Sequence, residues 1–364
     1  MQRNLVLLAG VKALAAIRAD GLSPDKVALV AGAAGGPKWL VLYHFDRLLF
    51  TEFFRPRRRP LPLVGASSGA WRFAAACQPD PLTALSQFKD AYMHQVYETV
   101  PSPQEVSAEA DRILKAFIPP SAAGRILTHP RLRLTVLTDR ARHLVAREAR
   151  AARLTGLALT FAGNLIHRRL LGWSLERTLF HDPRTAPPLG REGLLTGRRV
   201  PLTPANLMPA LRATGAIPLI MSGVQGIPGA PAGTYLDGGL VDYHLTLPYA
   251  VAPGQVVLIP HFLDHLIPGW LDKHLRWRHN RSPHLDSVLL AAPTADFARR
   301  LPGGKIPDRG DFTTYFGRDA YRIALWRRAT AACRCLGEEF MELAASGRIR
   351  RVVQPFPGQA IAES

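Results

Sequence analysis

The stretch Leu61-Pro62-Leu63-Val64-Gly65-Ala66-Ser67-Ser68-Gly69-Ala70 decides how the chain folds. Its first four residues read as a short apolar strand. Gly-Ala-Ser-Ser-Gly follows, and an alanine-rich helix then runs towards Cys77. This is G-x-S-x-G in a strand–turn–helix setting. Such an elbow holds its central Ser in a strained backbone conformation, so that Oγ projects from the end of the strand. The two glycines follow from the same geometry. Strand and helix backbones approach closely on either side of the turn, and a Cβ at Gly65 or Gly69 would collide. Ser67 is therefore the candidate nucleophile.

Upstream, Lys26-Val27-Ala28-Leu29-Val30-Ala31 is a buried-strand pattern. Gly32-Ala33-Ala34-Gly35-Gly36 then turns, and Pro37 opens a helix reaching about Phe50, at the position where its missing N–H costs nothing. A small-residue loop at a helix start offers unpaired N–H groups, suited to an oxyanion, to a phosphate, or to no ligand at all. It is neither a Walker loop nor G-x-G-x-x-G. Strand, helix and second strand form a βαβ unit, and a right-handed crossover makes the strands parallel. Both Gly-rich turns then lie at one carboxyl edge of the sheet, with the loop amides beside Ser67.

The chain has 364 residues, 47% of them apolar, enough for a sizeable core in one large domain or two ordinary ones. Lys and Arg number 46 against 28 Asp and Glu, a net charge of +18. Such a balance favours anionic partners, or reflects arginine usage throughout the sequence. Anionic membrane in peripheral contact is one such partner. Nucleic acid is not expected, because no recognition motif is present. Cys77, Cys333 and Cys335 make no disulfide framework and fit a reducing compartment. The N-terminal apolar run, Leu5–Val11, is cut by Lys12, so residues 5–18 read as a folded amphipathic helix rather than an export signal. No stretch reaches the ~18 apolar residues that span a bilayer. The expected location is cytoplasmic, at most peripheral at a membrane.

Further along, the basic loop Arg55–Pro60 reads as solvated or lipid-facing, and residues 82–117 as helical with breaks at Pro101 and Pro103. Arg131–Thr138 alternates as a strand with one wetter face. Helical patterns follow to about Leu171. Within them Leu154–Ile166 is apolar all round and flanked by Arg153 and His167-Arg168-Arg169, which suits a buried core helix or an interfacial lid. Residues 181–203 read as a long loop. Thr203-Pro204 starts a helix that ends near Thr214-Gly215. A short strand then ends in Asp237-Gly238-Gly239, an ordinary Asp turn or, with the elbow upstream, the place of a catalytic base. Gln255–Pro260 is another buried strand. His261 and His265 have helical spacing, but no third ligand is evident and no metal is expected. Residues 318–346 read as one amphipathic helix, with Cys333 and Cys335 on different faces.

In this order, the Gly-rich loop, G-x-S-x-G and Asp-Gly-Gly resemble the patatin-like phospholipase family. The segment Arg212–Pro218 resembles the one that precedes that family's Asp motif. The resemblance covers roughly residues 26–77 and 205–262. It implies a three-layer α/β/α sandwich with a mainly parallel sheet, as one domain with a helical insertion at about 139–200 and a C-terminal helical extension at about 310–364. It implies a lipid acyl hydrolase without cofactor, in which Ser67 and Asp237 form a catalytic dyad and Gly32, Ala33, Ala34, Gly35 and Gly36 form the oxyanion loop. This chain departs from the family by its alanines in the loop, by Lys38 after Pro37, and by Asp242-Tyr243-His244 after the Asp turn. Two alternatives stay open. One is a Ser-Asp-His triad through His244 or His261; the other is a basic membrane-binding protein without catalysis.

Overall fold

The computed structural model describes residues 3–190 and 197–357. The strands are β1 (Leu5–Ala9), β2 (Val27–Gly32), β3 (Leu61–Ala66), β4 (Leu132–Ala141), β5 (Leu175–His181), β6 (Arg198–Pro201), β7 (Thr234–Asp237), β8 (Val256–Pro260), β9 (Val288–Pro293) and β10 (Gln354–Pro355). They join in the order β10-β1-β9-β8-β2-β3-β4-β5-β6, with β7 also paired to β4. The run β9-β8-β2-β3-β4 is parallel; β1 pairs antiparallel to β9, β5 and β7 pair antiparallel to β4, and the outer pairs β1–β10 and β5–β6 are parallel. The βαβ unit is as the sequence predicts: Gly32 stands opposite Gly65 in the parallel register.

The helices, in order, are α1 (Val11–Asp20), α2 (Tyr43–Leu48), α3 (Ser68–Ala76), α4 (Pro81–Met93), α5 (Pro103–Phe117), α6 (Ala122–Leu127), α7 (Arg150–Ile166), α8 (Leu171–Ser174), α9 (Pro204–Thr214), α10 (Ala295–Arg300), α11 (Gly310–Thr314), α12 (Asp319–Ala332), α13 (Arg334–Ala345) and α14 (Ile349–Val352). With the sheet they make a three-layer α/β/α sandwich. Strand side chains alternate between two cores, as the pleat requires. Val30, Leu63, Val136 and Leu258 point into the larger one, under Ile17, Phe45, Phe73 and Phe340 of the helices. Leu29, Val64, Leu137 and Val257 point into the other, which is closed largely by turn-rich chain carrying Tyr243, Leu245, Ile267 and Leu285. Burying each such large side chain contributes about 1.5–3 kcal/mol.

Several expectations are corrected. Residues 5–18 are not one helix: Leu5–Ala9 pair with β9 and Gly10 separates that strand from α1. A Cβ at Gly10 would meet the Leu285 carbonyl at 1.9 Å, so the turn requires glycine. β4 has no wet face, because neighbours on both sides and cores above and below bury it. The 139–200 segment carries α7 and α8 but also β5 and β6, which extend the sheet; its residues 191–196 lie outside the described residues, as do 358–364 of the C-terminal extension. His261 and His265 sit in a loop rather than on a helix. The 318–346 helix breaks at Cys333 into α12 and α13. In the 55–60 loop, Arg57 is buried and donates to the carbonyls of Pro24, Val27, Arg59 and Pro60, so it is a structural cation rather than a solvated one.

Candidate functional site

Ser67 follows β3 and caps α3 with φ 53° and ψ −132°, in the left-handed region that costs a non-glycine residue of order 1–3 kcal/mol. The surroundings over-determine it. A Cβ at Gly65 would lie 2.6 Å from the Ala70 backbone, and one at Gly69 would lie 2.0 Å from the Gly32 carbonyl. The Gly32–Gly36 loop is thereby pressed against the elbow. The Ser67 N–H donates to Thr214 Oγ1 at 2.8 Å, and that hydroxyl donates to the Leu137 carbonyl. Thr214 thus ties the end of α9 to β3 and β4.

β4 explains how Asp237 arrives. Ala66, the last residue of β3, stands opposite Leu137; Asp237, the last residue of β7, stands opposite Thr138. β3 and β7 therefore meet end to end along the same strand from opposite directions. Ser67 and Asp237, remote in sequence, line one cavity of about 530 Å³ with Gly35, Gly36, Lys38, Tyr243, Lys273 and Arg309. The Asp237 carboxyl is buried and accepts the Gly239 N–H at 2.7 Å. Burial pushes its pKa up from 3.8 to about 6, against the opposing pull of the Gly239 amide, the Ser67 hydroxyl and the cations Arg309 and Lys273. At neutral pH it is an anion whose proton affinity lies near that of a general base.

The predicted oxyanion loop is narrowed by its hydrogen bonds. The Ala34 N–H is committed to the Tyr243 carbonyl at 2.9 Å and is not free to donate elsewhere. Gly32 ends β2, and Ala33 is buried away from the cavity. Gly35 and Gly36 line the cavity, and their amides donate to no carbonyl among the described residues. Gly36 has φ +55°, and a Cβ at Gly35 would lie 2.4 Å from the Phe262 ring.

His244 and His261 do not join Ser67. Both are fully buried, with rings 4.2 Å apart, and each Nδ1 accepts a backbone N–H, from Ile267 and Leu263 respectively. Burial holds both imidazoles neutral, His261 at about 3 and His244 well below its usual value. Neither lines a cavity containing Ser67. Among the described residues no set of three metal-ligating side chains comes together.

Sequence reasoning singled out Lys38 without giving it a role and missed Lys273 and Arg309. Lys38, Lys273 and Arg309 reach the cavity from three separate segments and form no ion pair among the described residues. Lys38 Nζ sits 5.4 Å from the centre of the Phe262 ring; Lys273 Nζ lies 5.0 Å from that of Tyr243. Burial, followed by the repulsion of Lys38 and Arg309, brings Lys273 down to about 8. Burial also lowers Lys38. Asp237 and Asp308 line the same cavity, so three cations face two carboxylates, and the positive excess is where an anion would be stabilised. A second cavity of about 500 Å³ adjoins the first at Ser67, Gly36, Ile217 and Arg309, and is lined mainly by apolar side chains such as Trp71, Ile113, Met221 and Phe312.

No family model and no curated protein matches the chain. Among solved structures it is similar to VipD from Legionella pneumophila, with 12% identity and a TM-score of 0.32; the alignment covers 65% of this chain and 50% of that one, so this chain spans about half the length of VipD.

Proposed function

We propose that this chain is a serine acyl hydrolase acting on lipid esters, with Ser67 as nucleophile and Asp237 as its general base. Ser67 Oγ attacks the ester carbonyl and its proton passes to Asp237. The tetrahedral oxyanion faces the Gly35 and Gly36 amides and the amino end of α3, where preorganised donors and the helix dipole stabilise developing negative charge. The alcohol leaves with the proton from Asp237. Asp237 then takes a proton from water as the water attacks the acyl ester, and returns it to Ser67 Oγ, which departs and frees the carboxylic acid.

The observation that carries this reading is the convergence of a strained Ser and a buried carboxylate of raised pKa in one cleft between two cavities. The apolar cavity suits an acyl chain. The cationic one suits an anionic group on the alcohol portion, as in a phospholipid. The decisive experiment is labelling with a serine-reactive fluorophosphonate, together with hydrolysis of p-nitrophenyl esters and phospholipids. Wild type should be labelled and active, and Ser67→Ala should be neither. Equal labelling of both proteins would end the assignment.

A further inference from the structure

Helix α7 is amphipathic with its faces reversed. Its buried positions are Arg153, Gly156, Thr160 and Asn164, a single stripe at three- and four-residue spacing. Thr160 Oγ1 donates to the Gly156 carbonyl at 2.6 Å, and Asn164 Nδ2 donates to Asp272 Oδ1 at 2.8 Å. At 100° per residue the opposite arc runs from Phe161 through Leu154, Leu165 and Ile166 to Leu159, with Thr155 as its single polar side chain. Those five large apolar residues are 38–80% exposed. A surface helix in water turns its apolar stripe towards the core; this one turns it outward.

The patch continues beyond the helix. Leu170 packs beside Gly163, and Trp173 stands beside His143; they are 45% and 66% exposed. Trp277, 62% exposed, shares a surface cavity with Ile166. The surrounding charge is mainly positive. Arg147, Arg150, Arg169 and Arg276 are exposed, and Glu148 is the single acidic residue between positions 140 and 175. Leu157, at the margin of the same helix, lines the cavity of Ser67 and Asp237.

We propose that this face of α7, extended by Leu170, Trp173 and Trp277, docks on an anionic lipid bilayer. The helix lies in the plane of the interface, and the Ser67 cavity opens beside the bound surface. A helix satisfies its own backbone hydrogen bonds, so it can bury an apolar stripe several ångströms deep at the acyl boundary. Tryptophans settle at headgroup depth, and arginines pair with lipid phosphates. No described helix is long and apolar enough to cross a membrane. A second copy of the chain is a poorer occupant, because pairing this face with itself would bring the Arg147, Arg150 and Arg169 clusters together.

The test is co-sedimentation of the full chain with vesicles of phosphatidylcholine alone or with about 30% phosphatidylglycerol. Wild type should bind the anionic vesicles at least roughly tenfold more tightly than the neutral ones. Leu159→Ser with Leu165→Ser should lose at least roughly tenfold in binding, with thermal melting and hydrolysis of a soluble short-chain ester unchanged. Arg169→Gln with Arg276→Gln should reduce the preference for anionic lipid. Binding is read without turnover, so Ser67→Ala should sediment like wild type, and failure of the hydrolase assignment would leave this result intact. Three outcomes overturn the proposal: no binding to either vesicle, equal binding by the wild type and the leucine variant, or a concentration-dependent dimer that the leucine variant abolishes.

Discussion

Asp237→Asn should separate stability from activity, in a way that depends on pH. Burial raises the Asp237 carboxyl from 3.8 to about 6, so the folded protein holds this proton more tightly than the unfolded chain does. Well below pH 3.8 both states are protonated and ionisation costs nothing. Between about pH 4 and 6 the unfolded chain ionises first, and stability falls as pH rises. Above about pH 6 the cost is constant. A rise of about two decades in proton affinity, at about 1.4 kcal/mol per decade, makes that cost ~3 kcal/mol. Asparagine keeps the shape of the side chain and an Oδ1 to accept the Gly239 N–H, and it does not titrate. The stability of the variant relative to wild type should therefore grow by ~2 kcal/mol between pH 4 and pH 8, in favour of Asn. Guanidinium unfolding of both proteins at the two pH values measures this, and contributions from groups common to both cancel. Hydrolysis at pH 8 should fall by ~10²–10⁴-fold, because Asn cannot take the Ser67 proton. A stability difference that stays flat with pH, or that moves in favour of Asp as pH rises, would refute the argument from burial.

With the proposed role of Asp237 as base, the same carboxyl should set the pH–rate profile: kcat/KM for a neutral ester should rise with pH and level off above about 6. Thr214→Val leaves the Ser67 N–H and the Leu137 carbonyl unpaired, which should cost ~1–3 kcal/mol for each group in thermal unfolding and lower hydrolysis with it. Gly69→Ala puts a Cβ 2.0 Å from the Gly32 carbonyl, where backbone rather than side chain must give way; ester hydrolysis should drop by ~10²-fold or more, since the proposed oxyanion loop would move with it. Lys273→Gln should raise KM for a phosphate-bearing ester by roughly tenfold and leave a neutral ester unaffected, and wild type should show the same rise as pH passes about 8 and Lys273 loses its charge.

Much of the fold was legible because it is written in local periodicity. The buried strands at Val27–Gly32 and Leu61–Ala66, the glycine turns after them and the capped start of α9 all lie within windows of a few residues. β1 was not legible in this way. Leu5-Val6-Leu7-Leu8 is as apolar for a helix as for a strand, and its antiparallel partner is nearly 290 residues away. The single helix expected at 318–346 failed for a similar reason: helical periodicity persists across Cys333, while the packing breaks the rod there. The orientation of α7 was half legible. Arg153, Thr160 and Asn164 recur at helical spacing within an apolar run, but periodicity alone does not tell which face turns inward.

For the candidate site the division is sharper. The sequence by itself determined the chemistry available: a serine between glycines after a strand, small residues leaving backbone amides uncovered, and an aspartate ending a strand on a glycine turn. Tertiary structure decided the neighbours. Ser67 and Asp237 meet because β3 and β7 end against consecutive residues of β4; Ala34 loses its amide to Tyr243; His244 and His261 are drawn into the core instead; and Lys38, Lys273 and Arg309 gather around one cavity. Local pattern fixes which groups a segment presents, since that follows from backbone geometry over a few residues. Which groups face one another follows from strand order and register, which are set by long-range pairing and burial across the whole chain.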